Sequence, residues 1–303
     1  MKPLKAEFYL LLVTLIWGGT FTLTKGALSD CPPLLLTALR FSIALIVSLI
    51  FFSKYLKGID RDILRNGIIL GLLFTFGFLL QSVGLKFTSV SKSAFITGIT
   101  VAFTPFAYYI IERKTITNIQ KFGIFIVSIG LWLFTNPHID NINIGDALTL
   151  GSTLFWAFYI TYIDVFTRET DSFAITIRLV IIPFMVAVPI SFLLFFIFEF
   201  QNLNFHISPH LIGALAYNGL IVSIVVTLIH TSVQKYTTPV KASLIFTLEP
   251  VFASIIAFLF INDQLSGREI AGAIVIFIGI ISSELGTNAL ELIQNIFSKK
   301  RSY

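Results

Sequence analysis

The sequence predicts an all-α polytopic membrane protein with ten transmembrane helices, arranged as two inverted five-helix repeats. Three observations carry this reading. Hydrophobic residues make up 56% of the 303-residue chain and charged residues only 12%, whereas soluble domains carry roughly 25% charged residues. The chain offers about ten apolar stretches, each near the roughly 20 residues that cross a hydrocarbon core, separated by short polar joints. Finally, Lys86, Phe87, Thr88 and Lys92 recur 149 residues later as Lys235, Tyr236, Thr237 and Lys241. The same spacing joins Gln81 to His230, Gly123 to Gly272 and Gly130 to Gly279, the mark of an internal duplication. Five crossings per copy force the second copy to enter from the opposite face.

Taken in order, the first segment runs from Phe8 to Leu28 and stops at Cys31-Pro32-Pro33, since proline breaks a helix. The second continues to Phe52, and a basic joint with Lys54, Lys57, Arg61 and Arg65 follows. The third covers Asn66 to Leu85 and the fourth Val90 to Ile111, closed by Glu112, Arg113 and Lys114. The fifth runs from Ile119 to Thr135 and leads into the polar run NPHIDNINIGD, the natural boundary between halves. Segments six to ten fall at Asp146 to Phe166, Phe173 to Phe198, His210 to Val233, Pro239 to Ile261 and Glu269 to Leu285. The expected units are a first repeat over residues 1–137, a second over 138–286 and a cytoplasmic amphipathic tail over 287–303. In that tail Leu290, Leu292, Ile293, Ile296 and Phe297 lie among polar residues, a pattern suited to the membrane surface.

With both termini inside, 14 of the 21 Lys and Arg residues fall on the cytoplasmic side, and only Lys86, Lys92 and Arg268 lie in outer joints. Cytoplasmic joints usually carry such an excess, so a multi-pass protein of the cell inner membrane with both ends cytoplasmic is expected. Lys2 and Lys5 precede a full-length apolar segment with no small-residue cleavage site after it, so the first helix is expected to be retained. The net charge of +5 is spread over alternate joints and not gathered in one patch, which argues against nucleic acid. A single cysteine, Cys31, permits no internal disulfide, and no Cys/His cluster has ligand spacing, so neither metal nor cofactor is expected. The chain also lacks a serine–histidine–acid set, a phosphate-binding glycine loop and an HExxH motif, which argues against an enzyme.

The chain resembles the drug/metabolite transporter superfamily, specifically the EamA-type permeases. The residues that carry the resemblance are Trp17-Gly18-Gly19-Thr20-Phe21 with Lys25, Arg40-Phe41, the stretch GLKFTSVSKSAFITG from Gly84 and LEPVFA from Leu248. Where the family pattern continues with a Gly-Glu pair, this chain has Asn262-Asp263. The resemblance implies ten helices in two inverted repeats and transport of a small solute through a central cavity by alternating access. The substrate expected is a small metabolite, with an amino acid or related zwitterion among the classes that fit. The rivals are a membrane-bound receptor or enzyme using the same cavity, and an uncoupled facilitator.

Several residues are candidates for substrate binding or coupling. Lys92 and Lys241 stand at matching positions, each third in a helix behind Ser89 or Thr238, where a cation opposes the helix dipole. The functional expectation is a positive potential that draws an anionic substrate group; the alternative is that both lysines snorkel to the interface. Glu249 lies ten residues beyond Pro239, roughly 15 Å into the span and so near mid-membrane. It is the candidate for proton coupling, against a buried carboxyl of structural use, and Pro250 beside it should kink the helix. Slipping the repeat alignment by four residues sets Thr104-Pro105 against Glu249-Pro250, which gives the first half the proline without the acid. Trp17 with Trp156, and Arg40 with Arg178, correspond between halves and read as packing or anchoring first and cavity lining second. Gln81, His230, Tyr108 and Asn218 are polar residues within spans, where helix-to-helix hydrogen bonds compete with ligand contacts. Gly123, Gly130, Gly272 and Gly279 suit close helix contact.

Overall fold

The computed structural model of the chain describes residues 1–135, 142–168, 170, 172–261 and 266–300. Those residues form helices and joints, with no strand among them. The first half contains α1 (Pro3–Ala27), α2 (Pro33–Leu56), α3 (Arg61–Phe87), α4 (Val90–Glu112) and α5 (Asn118–Thr135). The second contains α6 (Ile144–Arg168), α7 (Phe173–Phe198), α8 (Pro209–Tyr236), α9 (Pro239–Phe246 with Glu249–Ile261) and α10 (Gly267–Lys300). Among the described residues, nine helices, α1 to α9, are long and apolar enough to cross a bilayer.

The helix starts follow local chemistry. Proline occupies the first turn of α1, α2, α8 and α9, where no amide proton is needed. Asp60, Ser89, Ser208 and Thr238 cap α3, α4, α8 and α9 by accepting from the amide three residues on. The chain end differs from expectation. The helix expected to stop at Leu285 continues unbroken to Lys300, because no proline or charge run interrupts residues 286–298. Expectations for residues 136–141, for Asn262-Asp263 and for 301–303 fall outside the described residues.

Packing divides the bundle into two similar groups. In one, α3 lies against α6 and α7, and α4 against α6; in the other, α8 lies against α1 and α2, and α9 against α1. Between the groups α2 meets α7, α4 meets α9, and α5 runs along α10. Shifting every helix number by five returns the same neighbours. Between α5 and α10 the glycines allow backbone contact: a Cβ on Gly130 would sit 2.6 Å from the Ile276 nitrogen, and one on Gly272 2.4 Å from that of Phe134. Gly123 faces Ser283 and Gly279 in the same seam, so the two helices run antiparallel.

Large apolar side chains such as Phe8, Ile50, Phe106, Phe125 and Phe198 point outward, as a lipid-facing surface requires. The interior is rich in Thr and Ser instead. Many of their hydroxyls return to carbonyls one turn back, as in Thr14 to Leu10, Thr75 to Gly71 and Thr161 to Ala157, which satisfies them on burial.

Candidate functional site: a central cavity between the halves

Three helices are interrupted at the centre of the bundle. The helix of α1 stops at Trp17 and resumes at Thr20. Gly18 lies so close to α9 that a Cβ there would be 2.9 Å from the Ala253 nitrogen. The Ile16 carbonyl at this break accepts the Gly19 amide at 3.3 Å and the Tyr217 hydroxyl at 2.6 Å. Between Gly98 and Thr100 α4 breaks, and between Phe246 and Glu249 α9 does the same. The α9 break has the cause expected of Pro250: without its amide proton the Phe246 carbonyl loses its helical partner. Thr247 and Leu248 instead donate to Leu244 and Ile245, three residues back, at 3.2 and 3.1 Å. A fourth helix, α8, widens to π geometry over Tyr217–Val226, a form common at functional sites.

These irregular stretches surround a cavity of about 70 Å³, room for several waters or part of a small solute. Its walls are aromatic. Trp17 meets Phe246 edge-on at 4.9 Å and His230 at 5.8 Å, while Phe78 meets Trp156 at 4.6 Å and Trp156 meets Tyr159 at 5.6 Å. Hydroxyl, amide, imidazole and carboxyl groups stand between the rings. Gln81 Nε2 donates to Thr97 Oγ1 at 3.1 Å, and His230 Nε2 lies 3.1 Å from Gln234 Oε1. Glu249 is the only carboxylate among the described lining residues, and no lysine or arginine joins it there. It opens the second segment of α9, where a helix N-terminus favours negative charge.

The lining is built in matched pairs. At the 149-residue spacing Gln81 pairs with His230, Ala94 with Ser243, Thr97 with Phe246, Gly98 with Thr247 and Thr100 with Glu249. At the 139-residue spacing of Trp17 and Trp156, Thr20 pairs with Tyr159. The four-residue slip is therefore corrected: Thr100, and not Thr104, stands where Glu249 stands. Each opens a helical segment after the break, whereas the Thr104 hydroxyl is buried against the Thr100 carbonyl at 2.8 Å.

Of the residues singled out from sequence, Trp17, Gln81, Trp156, His230 and Glu249 line this cavity. Arg40 and Asn218 instead line a second, smaller recess beside it. Lys92 and Lys241 line neither, and each lies against a carboxylate. Lys92 Nζ lies 2.6 Å from Asp146, whose carboxylate also accepts from Thr88 Oγ1 at 2.6 Å and Asn143 N at 2.9 Å. Lys241 Nζ lies 3.7 Å from Glu7. Arg178 clamps the joint after α2, donating to the carbonyls of Tyr55 and Lys57 at 2.7 and 2.6 Å. Tyr108 packs in the cluster formed by α4, α5, α9 and α10, away from the cavity. Sequence reading missed Phe78, Tyr159 and Phe246. For Tyr159 and Phe246 a signal existed, because extending the two repeat spacings from Thr20 and Thr97 lands on them.

The duplication is also visible in comparison with known proteins. The EamA-like transporter family matches residues 4–136 and again residues 143–283. The chain belongs to the EamA-like transporter family. An uncharacterized transporter of Archaeoglobus fulgidus is 28% identical over 285 residues, covering 93% of this chain and 86% of that protein. The S-adenosylmethionine/S-adenosylhomocysteine transporter of Chlamydia muridarum is 25% identical over 182 residues, covering 56% of this chain and 57% of that one. A crystal structure superposes with a TM-score of 0.75 at 15% identity, covering 95% of this EamA-like chain and 99% of its own. That likeness concerns the fold. This EamA-like protein is thus a multi-pass membrane transporter of small molecules.

Proposed function

We propose that the protein is a secondary transporter that moves a small metabolite, an amino acid or related zwitterion, by alternating access. The two packing groups, each built from helices of both inverted five-helix repeats, rock about the central cavity in the cell inner membrane, with both termini cytoplasmic and α10 as the tenth crossing. The observation that carries this reading is the paired lining: one cavity receives equivalent residues from both halves, as a site visited alternately from two faces requires. The packing pattern that repeats on shifting helix numbers by five supports the same symmetry.

Glu249 breaks the pairing, since its counterpart is the neutral Thr100. Among the described residues its carboxyl has no hydrogen-bond or ion-pair partner, so it is available to a proton or to the cationic end of a solute. We assign it the coupling role. The named substrates of the Chlamydia muridarum relative, amino acids bearing an adenosyl group, combine an aromatic base with an amino group, the chemistry that aromatic walls and one acid complement. Lys92 and Lys241 serve transport by keeping each rocking group intact, the first tying α4 to α6 and the second α9 to α1.

Proteoliposomes with an imposed proton gradient test the proposal. Accumulation of an amino acid that collapses when the gradient is removed supports it. Downhill flux without accumulation would make the protein a facilitator, and ligand binding without flux would make it a receptor.

A further inference from the structure

Arg40 is 7% exposed, and no carboxylate pairs with it among the described residues. Its Nε donates to Ser223 Oγ at 2.8 Å, and its guanidinium carbon lies 4.1 Å from the centre of the Phe78 ring. Its Nη2 is buried with no hydrogen-bond partner. A charge taken out of water without a counter-ion is destabilising, and a charged group inside a membrane span marks a functional position by default. The Ser223 contact is made where α8 is π-helical, with the Ser223 hydroxyl also donating to the Asn218 carbonyl at 2.7 Å. The widened turn thus places an acceptor against Nε and leaves the Nη2 edge of the fork unmatched.

The recess beside the guanidinium, about 10 Å³, is lined by Thr24, Thr37, Ser82 and Asn218 together with Leu36 and the 214–215 turn. Thr24 Oγ1 accepts from Asn218 Nδ2 at 3.1 Å, which leaves its own proton to donate elsewhere. The recess holds no acid. Its position is informative. Thr24 lies one turn beyond Thr20 on α1, Ser82 one turn beyond Phe78 on α3, and Asn218 one turn from Val222 on α8, and all three of those neighbours line the central cavity. The recess therefore continues the cavity by about 5.4 Å along the helices, toward the face where α1 ends. Phe78 stands between the two, one surface on the aromatic cavity and the other on the guanidinium.

We infer that Arg40 and the hydroxyls around it form an anion subsite for one small oxyanion or halide. It takes either a free inorganic anion or the carboxylate of the transported solute, with Phe78 as the partition between this subsite and the cavity. A planar guanidinium edge suits a carboxylate in bidentate contact. The inference rests on the transport reading only where the anion belongs to the solute. In that case the carboxylate sits at Arg40, the body in the aromatic box and the cationic end toward Glu249.

The test measures binding and not flux, so it fails independently of transport. Purified full-length protein in lipid nanodiscs is heated in sodium gluconate, chloride and formate at equal ionic strength. It is then heated in gluconate with each of a panel of amino acids and with the matching amines that lack the carboxylate. A ligand of the folded state raises the melting temperature with its concentration. Stabilisation by formate or chloride over gluconate identifies a free anion. Stabilisation by an amino acid and not by its amine identifies the solute's carboxylate. In either case Arg40→Gln is expected to abolish the difference, and Ser82→Ala, which keeps the charge, to weaken apparent affinity several-fold. If Arg40→Gln does not fold, Ser82→Ala carries the comparison. A wild-type protein indifferent to every anion and every carboxylate overturns the inference, as does an undiminished response in both variants.

Discussion

The Lys92 ammonium lies 2.6 Å from the Asp146 carboxylate, and the equivalent pair, Lys241 of the second half with Glu7 of the first, stands 3.7 Å apart. Asp146 and Glu7 are separated by the same 139 residues as Trp156 and Trp17. Each pair joins helices of a single packing group, α4 to α6 and α9 to α1. The pairs are staples within the moving bodies and not latches between them.

Lys92→Gln therefore leaves a mostly buried Asp146 without its cation, and removing one member of such a pair costs about 3–5 kcal/mol. Lys241→Gln should cost less, because its pair is longer and slightly more exposed. Substrate affinity should stay within about twofold in whatever protein remains folded. Thermal unfolding beside a binding isotherm separates the two effects, and Lys92→Gln combined with Asp146→Asn should recover part of the loss. A folded Lys92→Gln protein with sharply weakened binding would return the lysine to the substrate.

Glu249→Gln preserves shape and removes the titrating group. It should abolish accumulation driven by a pH gradient and spare exchange of substrate across the membrane. If the variant accumulates substrate with the wild-type pH dependence, Glu249 is a structural element of the α9 break.

At the α5–α10 seam, Gly130→Ala would set a methyl group 2.6 Å from the Ile276 backbone nitrogen, and the backbone cannot yield as a side chain can. Overpacking of this kind costs about 1–3 kcal/mol. Gly26→Ala is the control, with nothing within 4 Å of the added carbon. Equal melting temperatures for the two variants would mean the seam is looser than its geometry.

Cys31 is 1% exposed in the joint before α2. Burial first, and then the nearby Glu199 and Asp30 carboxylates, push its thiol up to about 12. Since only the thiolate reacts, maleimide labelling of the folded protein at pH 8.5 should be on the order of 10³-fold slower than that of an unfolded chain with an ordinary thiol near 8.5. Fast labelling without denaturant would contradict this environment.

The charge distribution predicts opposite readouts from topology reporters fused after Phe297 and inserted between Asn136 and Gly145, with the first cytoplasmic. Matching readouts would mean that the number of crossings between them is even.

The spans were legible because lipid leaves little choice: apolar runs near 20 residues, with proline and capping residues at their ends, read directly as helices. The paired polar residues were legible through the 149-residue spacing, which led to Gln81, His230 and the four seam glycines. The partners of Lys92 and Lys241 were not. Asp146 and Glu7 sit on other helices at the 139-residue spacing, and no local pattern announces a contact between α4 and α6. The aromatic box was hidden for a different reason: with 32 phenylalanines in the chain, Phe78 looks like any other apolar residue, and only the 149-residue spacing from Thr97 sets Phe246 apart.

The antiparallel glycine seam has a consequence for how such a chain can be divided. Gly123 and Gly130 on one helix and Gly272 and Gly279 on the other offer the same surface, yet the contact forms only with the two helices pointing in opposite directions. Two copies of the first half inserted with the same orientation could not reproduce it. Expressed as separate polypeptides cut between Thr135 and Ile142, the halves should complement one another and neither should assemble alone. In the proposed topology, the uneven distribution of lysine and arginine is what sets nearly equivalent surfaces into the membrane in opposite directions.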